Sequence, residues 1–195
     1  MKMRSLNSTR QFTNTLYLTV FTLLLFGISF RGQSFGATAK EIDASADAAL
    51  DRFYQQVKNG KEIAQNAKGL LVLPNVKKGA FIIGGEYGQG ALRIGGKTVD
   101  YYNIISGSVG FQIGGQAKDV ILAFMTEAAL NDFRAGKGWE AGVDGNVALI
   151  TVGAGERVDF TRINEPIVGF VFDVKGLMAD ISLKGAKFTK LDMSK

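Results

Sequence analysis

A chain of 195 residues with 23 Lys and Arg against 18 Asp and Glu carries no Cys and no His. These absences exclude a thiolate nucleophile, a Ser-His-Asp triad and a zinc site built from nitrogen or sulfur ligands. Carboxylates, Lys, Tyr, Ser and Thr remain for acid-base work or for holding a hard cation.

The chain opens on Lys2, Arg4 and Arg10 with no acid, and Gln11 to Phe30 follows without a charge. That is the layout of a secretory signal. Small residues at Ser34 and Gly36, and again at Ala37 and Ala39, allow a cut after Gly36 or after Ala39. The "ATA" step before Lys40 is the expected one, which makes residues 1–39 a signal peptide and residues 40–195 a single domain. The alternative is an inner-membrane anchor formed by residues 11–30, about the ~20 residues that a span needs. A chain without Cys has no lipoprotein anchor.

Removing residues 1–39 takes away four bases (Lys2, Arg4, Arg10, Arg31) and no acid, leaving 19 against 18. The net charge of +5 therefore belongs mainly to the leader, and no nucleic-acid partner is expected.

From Lys40 to Val57, Ile42, Ala46, Ala49, Leu50, Phe53 and Val57 recur at helical spacing, with Glu41, Asp43, Asp47 and Asp51 between them. This predicts an amphipathic helix whose acidic polar side favours docking on its own domain over membrane insertion. Asn59 and Gly60 interrupt it, a short helix is expected over Lys61 to Lys68, and Gly69 stops it.

From Leu70 onward short apolar runs ("LLVL", "AFII", "NIIS", "DVILAFMT", "NVALITV", "PIVGFVF", "LMADISL") alternate with glycine and polar clusters, which is strand-and-turn spacing. "TEAALNDFRAG" is the exception, a short helix with Thr126 as N-cap, Ala128, Ala129 and Phe133 on one face, and Gly136 at its end.

The stretch "GGEYGQGALRIGGKT", Gly84 to Thr98, is rich enough in glycine to suggest a phosphate loop. A phosphate loop opens directly into a helix, whereas this stretch continues as "ALRIGGKTVDYYNIIS", strand and turn. The triplet Ile-Gly-Gly at Ile83, Ile94 and Ile113 suits tight turns with positive φ or sharp bends in coiled strands. The glycines are expected to shape a sheet.

"AKGLLVLPNVKKGAFIIGGEYGQGAL" (Ala67 to Leu92), "GSVGFQIGGQAKDVILAFMT" (Gly107 to Thr126), "WEAGVDGNVAL" (Trp139 to Leu149) and "VFDVKGLMADISLKGAKF" (Val171 to Phe188) resemble successive blocks of the SYLF domain. The block with "GFQIGGQAKDV" is the most specific. Members commonly carry a Trp-Ser pair before that block and a Gly-Pro step before the last third, where this chain has "YYNIIS" and "ITVGAGERVDF". The resemblance implies lipid binding, and last strands that pack in one domain with the N-terminal helices. The actin binding of eukaryotic relatives does not carry over to an exported bacterial chain.

The expected fold is α+β: a strongly bent, mainly antiparallel sheet or partial barrel with the N-terminal helices packed on it. The expected function is non-enzymatic association with anionic phospholipid on the periplasmic side of a bacterial envelope, with envelope proteins as further partners and no cofactor. The candidate lipid-binding residues are Lys77, Lys78, Lys175, Lys184, Lys187 and Lys190, which could converge on one basic face. Gln112, Gln116 and Asp119 are expected to be a structural polar cluster tying turn backbone to strand, since a single carboxylate makes a poor metal site. Two rivals remain: an envelope interaction scaffold, and an enzyme using Asp119, Glu86 or Tyr87 beside the glycine turns.

Overall fold

The computed structural model describes residues 37–79, 85–107, 116–153, 165–175 and 181–193. The predicted signal segment up to residue 36, and Gly84, Gln112, Ile83 and Ile113 with their turns, lie outside these residues.

Helix α1 (Ala39–Gln56) begins at a capping box: Thr38 Oγ1 accepts from the Glu41 amide, and the Glu41 carboxylate accepts from the Thr38 amide at 2.7 Å. The bonds that the carboxylate accepts from the Thr38 amide and from the Thr38 hydroxyl hold the Glu41 carboxyl below its ordinary value, the backbone bond first. The buried stripe is Ile42, Ala46, Ala49 and Phe53, as the spacing predicts. Asn59, at φ 60°, turns the chain into the short helix α2 (Gly60–Asn66).

Among the described residues eight strands follow: β1 (Gly69–Gly79), β2 (Gly85–Ile94), β3 (Lys97–Gly107), β4 (Gln116–Phe124), β5 (Gly138–Glu140), β6 (Ala148–Thr151), β7 (Ile167–Lys175) and β8 (Lys187–Leu191), with helix α3 (Glu127–Ala135) between β4 and β5. Their order across the sheet is β5-β8-β3-β2-β1-β4-β7-β6, and every pairing is antiparallel except β6 with β7. The sheet curves into a half-barrel, and α1 and α2 pack on it, the α+β arrangement the sequence predicts.

Strand alternation sends side chains to two cores. Leu70 and Val72 of β1, Ile121 and Ala123 of β4, and Val168, Phe170 and Phe172 of β7 meet α1, with Phe53 edge-on to Phe170 at 5.1 Å. Leu71, Leu73, Val120, Leu122, Phe124 and Val171 point the other way, to Leu130 and Phe133 of α3, Trp139 and Phe188. These central strands are buried on both faces, which is why they read as continuous apolar runs. Thr126 caps α3 and Gly136 ends it; the buried residues of its inner face are Leu130 and Phe133.

The glycines shape the sheet where they can be seen. Gly95 and Gly96, at φ 57° and 78°, form the two-residue turn joining β2 to β3, the mirror-image turn that matches strand twist. Gly90 lies inside β2, where a Cβ would sit 2.0 Å from the Val72 carbonyl oxygen. This close approach adjoins a bulge in β1, where the register shifts around Pro74 and Asn75. Pro74 has no N–H for the ladder, so a central strand can hold it only at such an irregularity.

One strand expectation fails in part. Of "LMADISL", the described residues 181–183 lie outside any strand, and Leu183 plugs a core as loop. The last strand forms instead at "KFTKL", where Phe188 alone among its residues is buried.

Candidate functional site

Directly opposed residues of neighbouring strands share a face of the sheet. The registers therefore define one continuous row: Lys187 of β8 faces Ile105 of β3, Ile105 faces Tyr87 of β2, Tyr87 faces Lys77 of β1, Lys77 faces Ala117 of β4, and Ala117 faces Lys175 of β7. At ~4.8 Å per strand the row spans about 24 Å. It lies on the face that carries α1 but outside the helix footprint. Gln89, two residues from Tyr87 on β2, accepts a bond from the Ala37 amide at 3.1 Å, so the start of the helix reaches the next row.

Lys77 is exposed. Lys187 and Lys175 have side chains 69% and 65% exposed, each with one carboxylate at 3.4 Å, Glu140 and Asp173 respectively. Exposed pairs of that kind contribute little and exchange readily with other anions. Tyr87 (45% exposed) and Ile105 (50%) lie between the cations.

The other predicted lysines fall elsewhere. Lys78 faces Glu86 and Gln116 and so points to the opposite side of the sheet. Lys190, opposite Tyr102, is also on that side and pairs with Asp100. Lys184 sits in the loop before β8, beside Gly142. Three of the six candidates thus share a row and three do not.

The polar groups beneath the row hold it in place. Asp119, 1% exposed, bonds Arg52 of α1 at 2.6 Å and accepts from the Asn75 amide at 2.9 Å, tying the β1 bulge to β4 and to the helix. Asn75 needs this partner because the bulge, with φ 49°, takes its amide out of the ladder. On the opposite face Lys118 Nζ meets the Glu86 carboxylate at 2.9 Å, with Ser106 Oγ donating to the same carboxylate at 3.4 Å. Gln116 is buried on that side too, so Gln116 and Asp119 are separated by the sheet.

The acidic side of α1 is spent on the domain. Asp43 accepts from Thr98 and Tyr101 at 2.7 and 2.8 Å, and Asp47 pairs with Arg93 at 2.8 Å. Burial, and then the Asp43 bond, push the Tyr101 phenol upward, which keeps it a donor. A groove of about 670 Å³ opens nearby between α1, α2 and the Gly95–Gly96 turn. It is lined by Leu50, Leu70 and Tyr54 and by Asp47 and Asp51 with Lys61 and Arg93, a balance of charge that offers an anionic headgroup no excess of cations.

The residues of the enzyme alternative do not converge. Glu86 and Tyr87 are chain neighbours and point to opposite faces, and the Asp119 carboxylate is occupied by Arg52 and the Asn75 amide. Ile105 escaped the reading of the sequence, although "NIIS" held the signal: of two consecutive Ile in a strand, one must face away from a given core. Ile104 is buried and Ile105 is not.

Comparison with known families matches residues 105–193 to the model of Ysc84, described as Las17-binding protein actin regulator. No curated protein matches the chain. The matched segment contains Ile105, Ala117, Lys175 and Lys187, while Lys77 and Tyr87 precede it. Residues 105–193 thus match the Ysc84 model, in line with the resemblance of the chain's sequence blocks to the SYLF domain.

Proposed function

We propose that this protein is a non-enzymatic, exported phospholipid-binding protein that associates peripherally with anionic membrane on the periplasmic side of a bacterial envelope. The observation that carries the reading is the alignment of Lys77, Lys175 and Lys187 on one exposed row. The family match over residues 105–193 supports a binding role, and the row supplies the charge that an anionic headgroup requires. A lysine near such a surface contributes ~1 kcal/mol, so three lysines acting together change affinity by roughly a hundredfold.

Flotation of the full chain with phosphatidylcholine vesicles, with and without phosphatidylglycerol, tests this at low and high salt. The triple variant Lys77→Glu/Lys175→Glu/Lys187→Glu is expected to lose the preference for anionic vesicles, most visibly at low salt where screening is weak. Lys184→Glu/Lys190→Glu, which alters lysines off the row, is expected to keep most of it. Equal losses in the two variants would show that net charge and not the row is responsible. The rival scaffold reading predicts a crosslinked partner in lipid-free extract and no vesicle binding.

Export rests on the basic start and the uncharged run, and the capping box bears on where the leader would be cut. A cut after Ala39 removes Thr38 and with it the cap of α1. A cut after Gly36 leaves Ala37 and Thr38 with their bonds to Gln89 and Glu41. Mass spectrometry of the native protein is expected to find Ala37 at the N-terminus. Lys40 there would refute the argument from the cap, and an intact Met1 in the membrane fraction would favour the anchor.

A further inference from the structure

We propose that Tyr87 and Ile105 form an apolar wedge that enters the interfacial layer of an anionic phospholipid bilayer while the lysines of the same row hold the headgroups. This rests on the phospholipid reading and adds a mode of binding to it. A single exposed Tyr or Ile on a surface needs no explanation. Here two of them are directly opposed on β2 and β3, so their side chains stand ~5 Å apart and present one patch.

The surroundings select a bilayer as occupant. Lys77 flanks the patch on the β1 side and Lys187 on the β8 side, with Lys175 further along, and the row between Lys187 and Lys175 contains no carboxylate. Acids meet the row at its two ends, where Glu140 and Asp173 pair with Lys187 and Lys175 at 3.4 Å, and none lies beside the patch: Glu86 faces the other side of the sheet in its pair with Lys118, and Asp119 is buried against Arg52. An apolar centre with cations on both flanks complements a layer whose acyl chains lie beneath negative phosphates. Tyrosine suits the boundary, because its ring is apolar and its hydroxyl can stay among the headgroups. A strand row is also stiff, so little ordering entropy is lost on docking.

Two forces then act in different salt regimes. The lysines dominate at low salt, and the wedge sustains what remains when charges are screened. Tyr87→Ser/Ile105→Ser is expected to lower partitioning onto phosphatidylcholine/phosphatidylglycerol vesicles at high salt by on the order of tenfold or more. The low-salt preference for anionic lipid should persist.

The direct readout is Tyr87→Trp in the full chain, an exposed position where the fold tolerates an indole. On adding vesicles, its emission should shift to the blue and be quenched by lipids brominated on the acyl chain, above the baseline of buried Trp139 in the parent protein. Vesicle binding without shift or quenching overturns the wedge and leaves adhesion by the lysines. Absence of vesicle binding overturns the phospholipid reading and the wedge with it. A concentration-dependent dimer in sedimentation, abolished by Tyr87→Ser/Ile105→Ser, would assign the patch to a second copy of the chain and overturn the wedge as well.

Discussion

Gly90→Ala is expected to unfold this protein or to cost it at least ~3 kcal/mol, the upper end of what overpacking usually costs. The added Cβ would lie 2.0 Å from the Val72 carbonyl oxygen and 2.8 Å from Leu73 Cα, and both are backbone atoms. A side chain could rotate away. A strand can only separate from its neighbour, and β1 is paired on both sides. In a domain of this size such a loss lowers the melting temperature by roughly 10 °C. Gly85→Ala is the internal control, since its nearest contact, the Ser106 carbonyl oxygen at 3.4 Å, is ordinary packing. Urea denaturation of both variants decides the matter: equal midpoints would mean that β1 and β2 are not held as closely as the coordinates place them.

Glu86→Leu is expected to be nearly as damaging for an electrostatic reason. It leaves the Lys118 ammonium, whose side chain is fully buried, without its carboxylate, and breaking a buried pair from one side costs about 3–5 kcal/mol. Replacing both partners, Glu86→Leu with Lys118→Met, is expected to recover most of that loss, because a well-packed apolar pair avoids the desolvation of two charges. The pair reaches from β2 to β4 across β1, so it holds together the three strands that present Tyr87, Lys77 and Ala117. A double variant no more stable than the single one would show that Lys118 finds another way to be satisfied, and the clamp would have to be abandoned.

Much of the architecture was legible in the residues because short-range rules govern it. The stripe of α1 shows helical spacing, the Gly95–Gly96 turn follows from two adjacent residues free of a Cβ, and Thr126 and Gly136 mark the ends of α3. The rejection of a phosphate loop belongs here too, since β2 runs on from the glycines as a strand and meets no helix. Pro74 held a signal that went unread, as a proline in an apolar run announces a bulge.

The end of the chain shows where local rules fail. "LMADISL" has strand composition, yet Ile181–Leu183 is loop, while "KFTKL", with one buried residue, completes the sheet. β8 exists because the exposed edge of β3 needs a partner, a condition set by residues far away in the sequence.

What the sequence by itself determined is the α+β class, the helix-then-strand order, the resemblance to SYLF blocks and the near-neutral balance of residues 40–195. The site was decided only by the tertiary structure. Lys77 is far from Lys175 and Lys187 in the chain, and the three meet on one row because β8, β3, β2, β1, β4 and β7 are brought into register. Lys187 and Lys190 are close in sequence and end on opposite faces, since an odd separation along a strand reverses the side. Sequence proximity therefore grouped lysines that the fold separates, and the pairing of distant strands brings three of the six onto one row.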